Sequence, residues 1–155
     1  LKKMKKGVDI RQVARVGKSF SDNNIMVHAY LMYGFPTETD QETIDSLEVV
    51  RQLFESNCIQ SAFWHQFTTT IHSPIGKDPE SFEIEITGPE FKGFAQNDLL
   101  HNDPQGANHN DYREGLNLAL NNYLNGVGFD LDLQEWFEFE VTETQHPDNL
   151  ITSFI

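Results

Sequence analysis

The sequence predicts an α/β fold built on parallel strands, and three observations carry that expectation. Apolar stretches with strand texture at 25–33 and 60–70 alternate with helix-periodic segments beginning near Asp9 and Thr39. The connections between them are short, as in a βαβ crossover, which implies parallel pairing of the two strands. Each helix also opens on a capping box, Asp9 with Gln12 and Thr39 with Glu42, which satisfies otherwise orphan amides of the first turn.

From Asp9 onward, Ile10, Val13, Ala14 and Gly17 recur on one face of a short amphipathic helix, and Asp22-Asn23-Asn24 supplies the following turn. Ile25 to Tyr33 reads as a buried strand. Ile25, Val27, Ala29 and Leu31 share an aliphatic face suited to packing under helices, while Met26, His28, Tyr30 and Met32 share a mixed face. The strand runs into Gly34-Phe35-Pro36, where Gly34 removes side-chain bulk so that a ligand can approach the backbone and Pro36 stiffens the turn. Open α/β enzymes bind ligands at such strand ends. Beyond Thr39, Ile44, Leu47, Val50 and Phe54 mark the covered side of a helix ending near Asn57, with Asp45, Glu48 and Glu55 outside. Gln60 to Thr70, rich in Thr and aromatic residues, reads as the second strand. One alternate set among Trp64, His65 and Gln66 points inward, and the pattern leaves open which.

The texture changes at Ser73. The punctuated loop from Ser73 to Pro79 divides residues 1–78 from an extension at 79–155. Phe82 to Thr87 alternates apolar and acidic residues as a half-exposed strand ending at Gly88-Pro89, and Glu83, Glu85 and Glu90 read as a solvated face. Residues 97–111 read as a long polar loop. Its His101, Asp103, His109 and Asp111 are residue types that suit zinc or iron, but their spacing matches no ligand motif and no metal site is assigned. Asp111 with Glu114 caps a helix with Tyr112, Leu116, Ala119, Leu120 and Tyr123 on one face, ending at Gly126. Trp136 to Val141 alternates as a strand, and the tail carries only the Pro147 turn.

The 155 residues, 38% hydrophobic, suffice to bury a core. No apolar run is long enough to span a bilayer. The single cysteine excludes an intramolecular disulfide and fits a reducing compartment, so a cytoplasmic location is expected. Cys58, after Asn57 at a helix end, reads as a packed thiol. The first twenty residues hold seven Lys and Arg against one Asp, and the rest four against twenty-three acids, for a net charge of −13. So acidic a body repels nucleic-acid phosphate and anionic membranes, and neither is expected as a partner. Lys2, Lys3, Lys5 and Lys6 read as a solvated helix face.

Gly34-Phe35-Pro36-Thr37-Glu38-Thr39, preceded by an apolar strand and followed by an acidic amphipathic helix, resembles the radical S-adenosylmethionine superfamily, whose fifth barrel strand ends in G-F-P-x-E-T in many members. LKKMKKGVDIRQV is similar to the helix start after that family's fourth strand, and residues 60–74 to its sixth strand and exit loop, so about half the chain is covered. The resemblance implies that residues 1–78 are the last βα units of an incomplete parallel (β/α) barrel and that 79–155 form a small family-specific α+β extension that covers or recognises substrate. It places Tyr30, Met32, Tyr33, Gly34, Pro36 and Glu38 in the adenine and ribose wall of S-adenosylmethionine, with Tyr30 where the family has a Gly and Glu38 four residues after Gly34. His28 and His65 are expected to face substrate, His28 being equally a candidate for a hydrogen-bonded core histidine.

The family's [4Fe–4S] cluster is held by a C-x-x-x-C-x-x-C loop, which a chain with Cys58 alone does not contain. The expectation is therefore the C-terminal piece of a longer Fe–S oxidoreductase, inactive by itself, with the missing N-terminal part of the same enzyme as its partner. The G-F-P-x-E-T form is frequent in the cobalamin-binding and methylthiotransferase branches, which makes cobalamin a further candidate cofactor of the intact protein. The alternative expectation is a noncatalytic acidic interaction module anchored by Trp136, Phe137 and Phe139.

Overall fold

Both capping boxes form. In the computed structural model, which describes residues 4, 6–90 and 96–155, the Asp9 carboxylate accepts from the Gln12 amide at 2.8 Å while Gln12 accepts from the Asp9 amide at 3.0 Å. Helix α1 (Ile10–Asp22) starts there. Lys2, Lys3 and Lys5 lie outside the described residues, and Lys6 is exposed but precedes the helix. Ala14 and Gly17 are buried and Ile10 packs on the core, whereas Val13 turns outward with Val16 and Phe20. The buried arc of α1 is thus narrower than its apolar pattern suggested.

Strand β1 (His28–Tyr33) is three residues shorter than expected, because the Ile25 amide bonds the Phe20 carbonyl in the helix exit and leaves Ile25 and Met26 exposed. Helix α2 (Asp40–Glu55) follows, opened by the Thr39–Glu42 box, and leads to β2 (Ser61–Gln66). The two strands pair in parallel from His28 with Ser61 to Tyr33 with Gln66, the arrangement the crossover implied. Ile44, Leu47, Val50 and Phe54 are buried as expected. Glu48 is not outside: it is 3% exposed and forms an ion pair with Arg51 at 2.6 Å under the segment that begins near Phe129. On β2 the inward set is Ala62 and Trp64, with Phe63 and His65 outward.

The strand read at 60–70 is two strands in two sheets. Beyond a break at Phe67-Thr68, β3 (Thr69–Thr70) joins an antiparallel sheet of order β3-β5-β4 with β4 (Glu85–Gly88) and β5 (Asp98–Asn102). Strand β5 lies inside what reads as a loop, since its partners are remote in sequence and DLLHN carries no clean alternation. The Ser73–Pro79 stretch holds a single helical turn, α3 (Pro74–Lys77), with Ser73 Oγ accepting from the Gly76 amide, and a 3₁₀ turn at Glu80–Phe82 precedes β4.

Helix α4 (His109–Leu124) begins two residues before Asp111, whose side chain accepts from Asn108 Nδ2 instead of capping the helix. Its Tyr112, Leu116, Ala119, Leu120 and Tyr123 are buried, and Gly126 leaves it with φ +72°. Residues 136–141 form no strand. A 3₁₀ turn at Leu133–Trp136 turns Trp136 and Phe137 into the core, where Trp136 Nε1 donates to the Tyr123 hydroxyl at 3.1 Å. The tail straps α2 and α1: Gln52 Nε2 donates to the Pro147 carbonyl, the Ile151 amide to Gln52 Oε1, and Arg15 Nε to the Phe154 carbonyl.

A single hydrophobic cluster runs from Ala14 through Trp64 and Leu116 to Ile151. The result is a mixed α/β fold with one parallel two-stranded sheet and one small antiparallel sheet. Among the described residues no closed barrel forms, and no helix is long and apolar enough to cross a membrane.

Candidate functional site

The C-terminal end of β1 delivers Tyr33 into the turn 34–38, where Gly34 and Thr37 both take left-handed backbone angles, φ +78° and +67°. Glu38 holds this turn from inside. Its carboxylate accepts from the Phe35 amide at 3.1 Å and from Thr43 Oγ1 at 3.0 Å, with a further backbone bond from Gly34. Burial pushes the Glu38 carboxyl above its ordinary pKa, and the hydrogen bonds from Thr43, Phe35 and Gly34 offset part of that rise.

The loop after β5 closes over the same turn. Asp103 Oδ2 accepts from the Thr37 amide at 2.6 Å, Asp103 Oδ1 from the Gly106 amide at 2.9 Å, and the Ala107 amide donates to the Glu38 carbonyl at 2.9 Å. His109, the first residue of α4, lies on Gly34: a Cβ there would stand 3.2 Å from the imidazole Cγ. Gly34 therefore makes room for the histidine that opens α4. Both ring nitrogens of His109 are buried without a hydrogen-bond partner among the described residues, and burial lowers its pKa against the opposing pull of Asp103 and Asp40. His101 is likewise lowered by burial and contacts Thr69 Oγ1 at 3.1 Å. Phe35 and Phe67 meet edge-to-face at 5.2 Å, and Phe67 continues to His101 at 6.0 Å, so an aromatic cluster ties the turn to β5.

A second surface is the face of the parallel pair opposite the core. There His28, Tyr30 and Met32 stand in register beside Ser61, Phe63 and His65. Tyr30 is 83% exposed and Phe63 53%. His28 Nδ1 lies 2.7 Å from Ser61 Oγ, and its ring meets Tyr30 edge-on at 5.2 Å. This face presents two flat rings flanked by imidazole and hydroxyl groups, a set able to stack on a planar ligand and hydrogen-bond its edges.

The eight residues singled out from sequence thus divide. Tyr30, Met32, His28 and His65 share the open face, and His28 is exposed, not a core histidine. Tyr33 and Pro36 are buried, Tyr33 against Trp64 with its hydroxyl 3.4 Å from Gln66 Oε1. Gly34 lies under His109, and Glu38 is spent on the turn itself. Asp103 and His109, first noted as potential metal ligands, are turn contacts, and the pattern that flagged them gave no sign of partners some seventy residues upstream. Asp103 offers its oxygens to backbone amides, and no group of three His, Cys, Asp or Glu poised for a metal is present among the described residues. Trp136 and Phe137 are core residues and so do not serve as surface anchors; only Phe139 of that trio is exposed. Compared with known proteins, the chain matches no family model, no curated protein and no solved structure.

Proposed function

We propose that this chain is the C-terminal portion of a radical S-adenosylmethionine Fe–S oxidoreductase, contributing part of the adenine and ribose wall and an extension that covers substrate. The open face of the β1–β2 pair carries this reading. Parallel sheets are ordinarily covered on both faces. Here the core, with α4 packed on β2, covers one, while Tyr30, Phe63 and two histidines occupy the other. Among the described residues no strand pairs with the outer edge of β1, and the Val13-Val16-Phe20 stripe of α1 is exposed as well. A preceding βα unit would cover edge and stripe, and barrel curvature would turn the open face inward.

The cluster itself does not fit this chain. Cys58 is wholly buried, burial raises its thiol pKa, and one thiol cannot hold four irons. Cluster, cleavage chemistry and any cobalamin therefore belong to the preceding part of the intact enzyme. What these residues supply is a surface: Tyr30 and Phe63 for stacking, His28, Ser61 and His65 for polar edges.

The test is an NMR titration of the chain with S-adenosylmethionine. Shifts centred on Tyr30, Met32 and Phe63, with a Kd near or above about 1 mM, are expected because the methionyl anchor is missing. Saturating ligand that leaves these residues unmoved rules the reading out.

A further inference from the structure

The turn that the resemblance places in the nucleoside wall is occupied by the chain itself. Asp103 takes the Thr37 amide, Ala107 takes the Glu38 carbonyl, and the His109 ring fills the space over Gly34. All three come from one short segment, 103–109, that runs from the loop after β5 into the first residue of α4. We propose that this segment is an autoinhibitory latch: closed, it blocks the approach to Gly34, and a nucleoside of the S-adenosylmethionine class gains the turn as the segment lifts. The inference rests on the nucleoside reading above and adds its regulation.

Two features of the closed state support a segment built to release. A neutral imidazole carries one donor and one acceptor, and buried polar atoms are nearly always paired. Closure leaves both His109 nitrogens buried and unpaired among the described residues, which opening would remedy by returning them to water or ligand. The closed state is held by several contacts, of which that of Asp103 is the charge-assisted one. Asp103 spans the gap, one oxygen on Thr37 of the turn and the other on Gly106 of its own loop, and a side chain at Gly106 would collide with that carboxylate. A protein whose competent state is only partly populated binds more weakly by that fraction, so weakening the latch must tighten binding.

Asp103→Ala and, separately, Gly106→Ala are titrated with S-adenosylmethionine beside the unaltered chain, with amide hydrogen exchange at Thr37 and Ala107 as the second readout. Each variant is expected to bind about tenfold tighter or more, the effect of losing one charge-assisted hydrogen bond that opposes binding. Ligand should accelerate exchange at both amides in the unaltered chain. Equal affinity in all three proteins, or exchange that is unchanged or slowed on binding, overturns the latch and leaves the nucleoside reading standing. Saturating ligand that leaves Tyr30, Met32 and Phe63 unmoved in every form overturns both. Should Asp103→Ala not fold, Gly106→Ala and the exchange data decide.

Discussion

Replacing Arg51 with Met is expected to remove about 3–5 kcal/mol of folding stability, because it strands a buried carboxylate. Glu48 accepts from Arg51 through both oxygens, at 2.6 and 2.8 Å, and from Gln52 Nε2 at 2.7 Å. The pairing is tight enough to raise the guanidinium pKa above its ordinary value, chiefly through the hydrogen bonds to Glu48. Without Arg51, the amide of Gln52 is the remaining side-chain donor to a carboxylate that is 3% exposed. The Phe129 carbonyl loses its 2.8 Å donor at the same time. The second arm counts for little: Glu55 is 51% exposed, and such an i,i+4 pair contributes about 0.3–0.5 kcal/mol. Glu55→Gln is thus the near-silent control. In Glu48→Met with Arg51→Met, apolar groups replace both charges, and much of the single-variant loss should return. Urea unfolding followed by the fluorescence of Trp64 and Trp136 measures all three against a typical total of about 5–15 kcal/mol. A loss below about 1 kcal/mol for Arg51→Met, or a double variant no better than the single, refutes the reasoning.

Three further outcomes are expected. Ile151→Ala should cost about 2–5 kcal/mol in the same assay, since Ile151 is fully buried and its amide is fixed to Gln52; a loss under 1 kcal/mol would mean that the tail does not belong to the core. Gly17→Ala should destabilise by about 1–3 kcal/mol although Ala is the better helix former by about 1 kcal/mol, because the new methyl would strike the Cys58 carbonyl; a stabilised variant contradicts that contact. The Glu38 carboxyl should titrate above its ordinary 4.5 in carbon-detected NMR, burial being the leading cause. With the folded pKa raised, its contribution to stability is full below the unfolded value of about 4.3 and is lost as pH rises through the folded pKa; a midpoint below 4.5 reverses this sign.

The features legible in the sequence are those whose physics spans a few residues. Asp9 with Gln12 and Thr39 with Glu42 mark helix starts because a capping box is closed within one turn. Leu116, Ala119, Leu120 and Tyr123 announce their buried face because the helix period repeats it. The misreadings have a common origin in partners remote along the chain. Asp98–Asn102 becomes a strand because β3 and β4 offer it two edges. Trp136 to Val141 has strand alternation, yet Tyr123 and Tyr112 draw Trp136 and Phe137 inward and the ladder never forms. Glu48 occupies an outward helical slot until the segment from Phe129 covers it and Arg51 neutralises it.

The same division holds for the candidate site. The sequence alone determined the Gly-Phe-Pro turn, its capped helix and the parallel pairing of the strands on either side, because capping, periodicity and short crossovers are local constraints. Only the tertiary structure decided what stands on that turn. Asp103, Ala107 and His109 reach it after loop closure across some seventy residues, and which amide a carboxylate meets, or which glycine an imidazole covers, is set by the packing of α4 against β2 and not by any window of sequence.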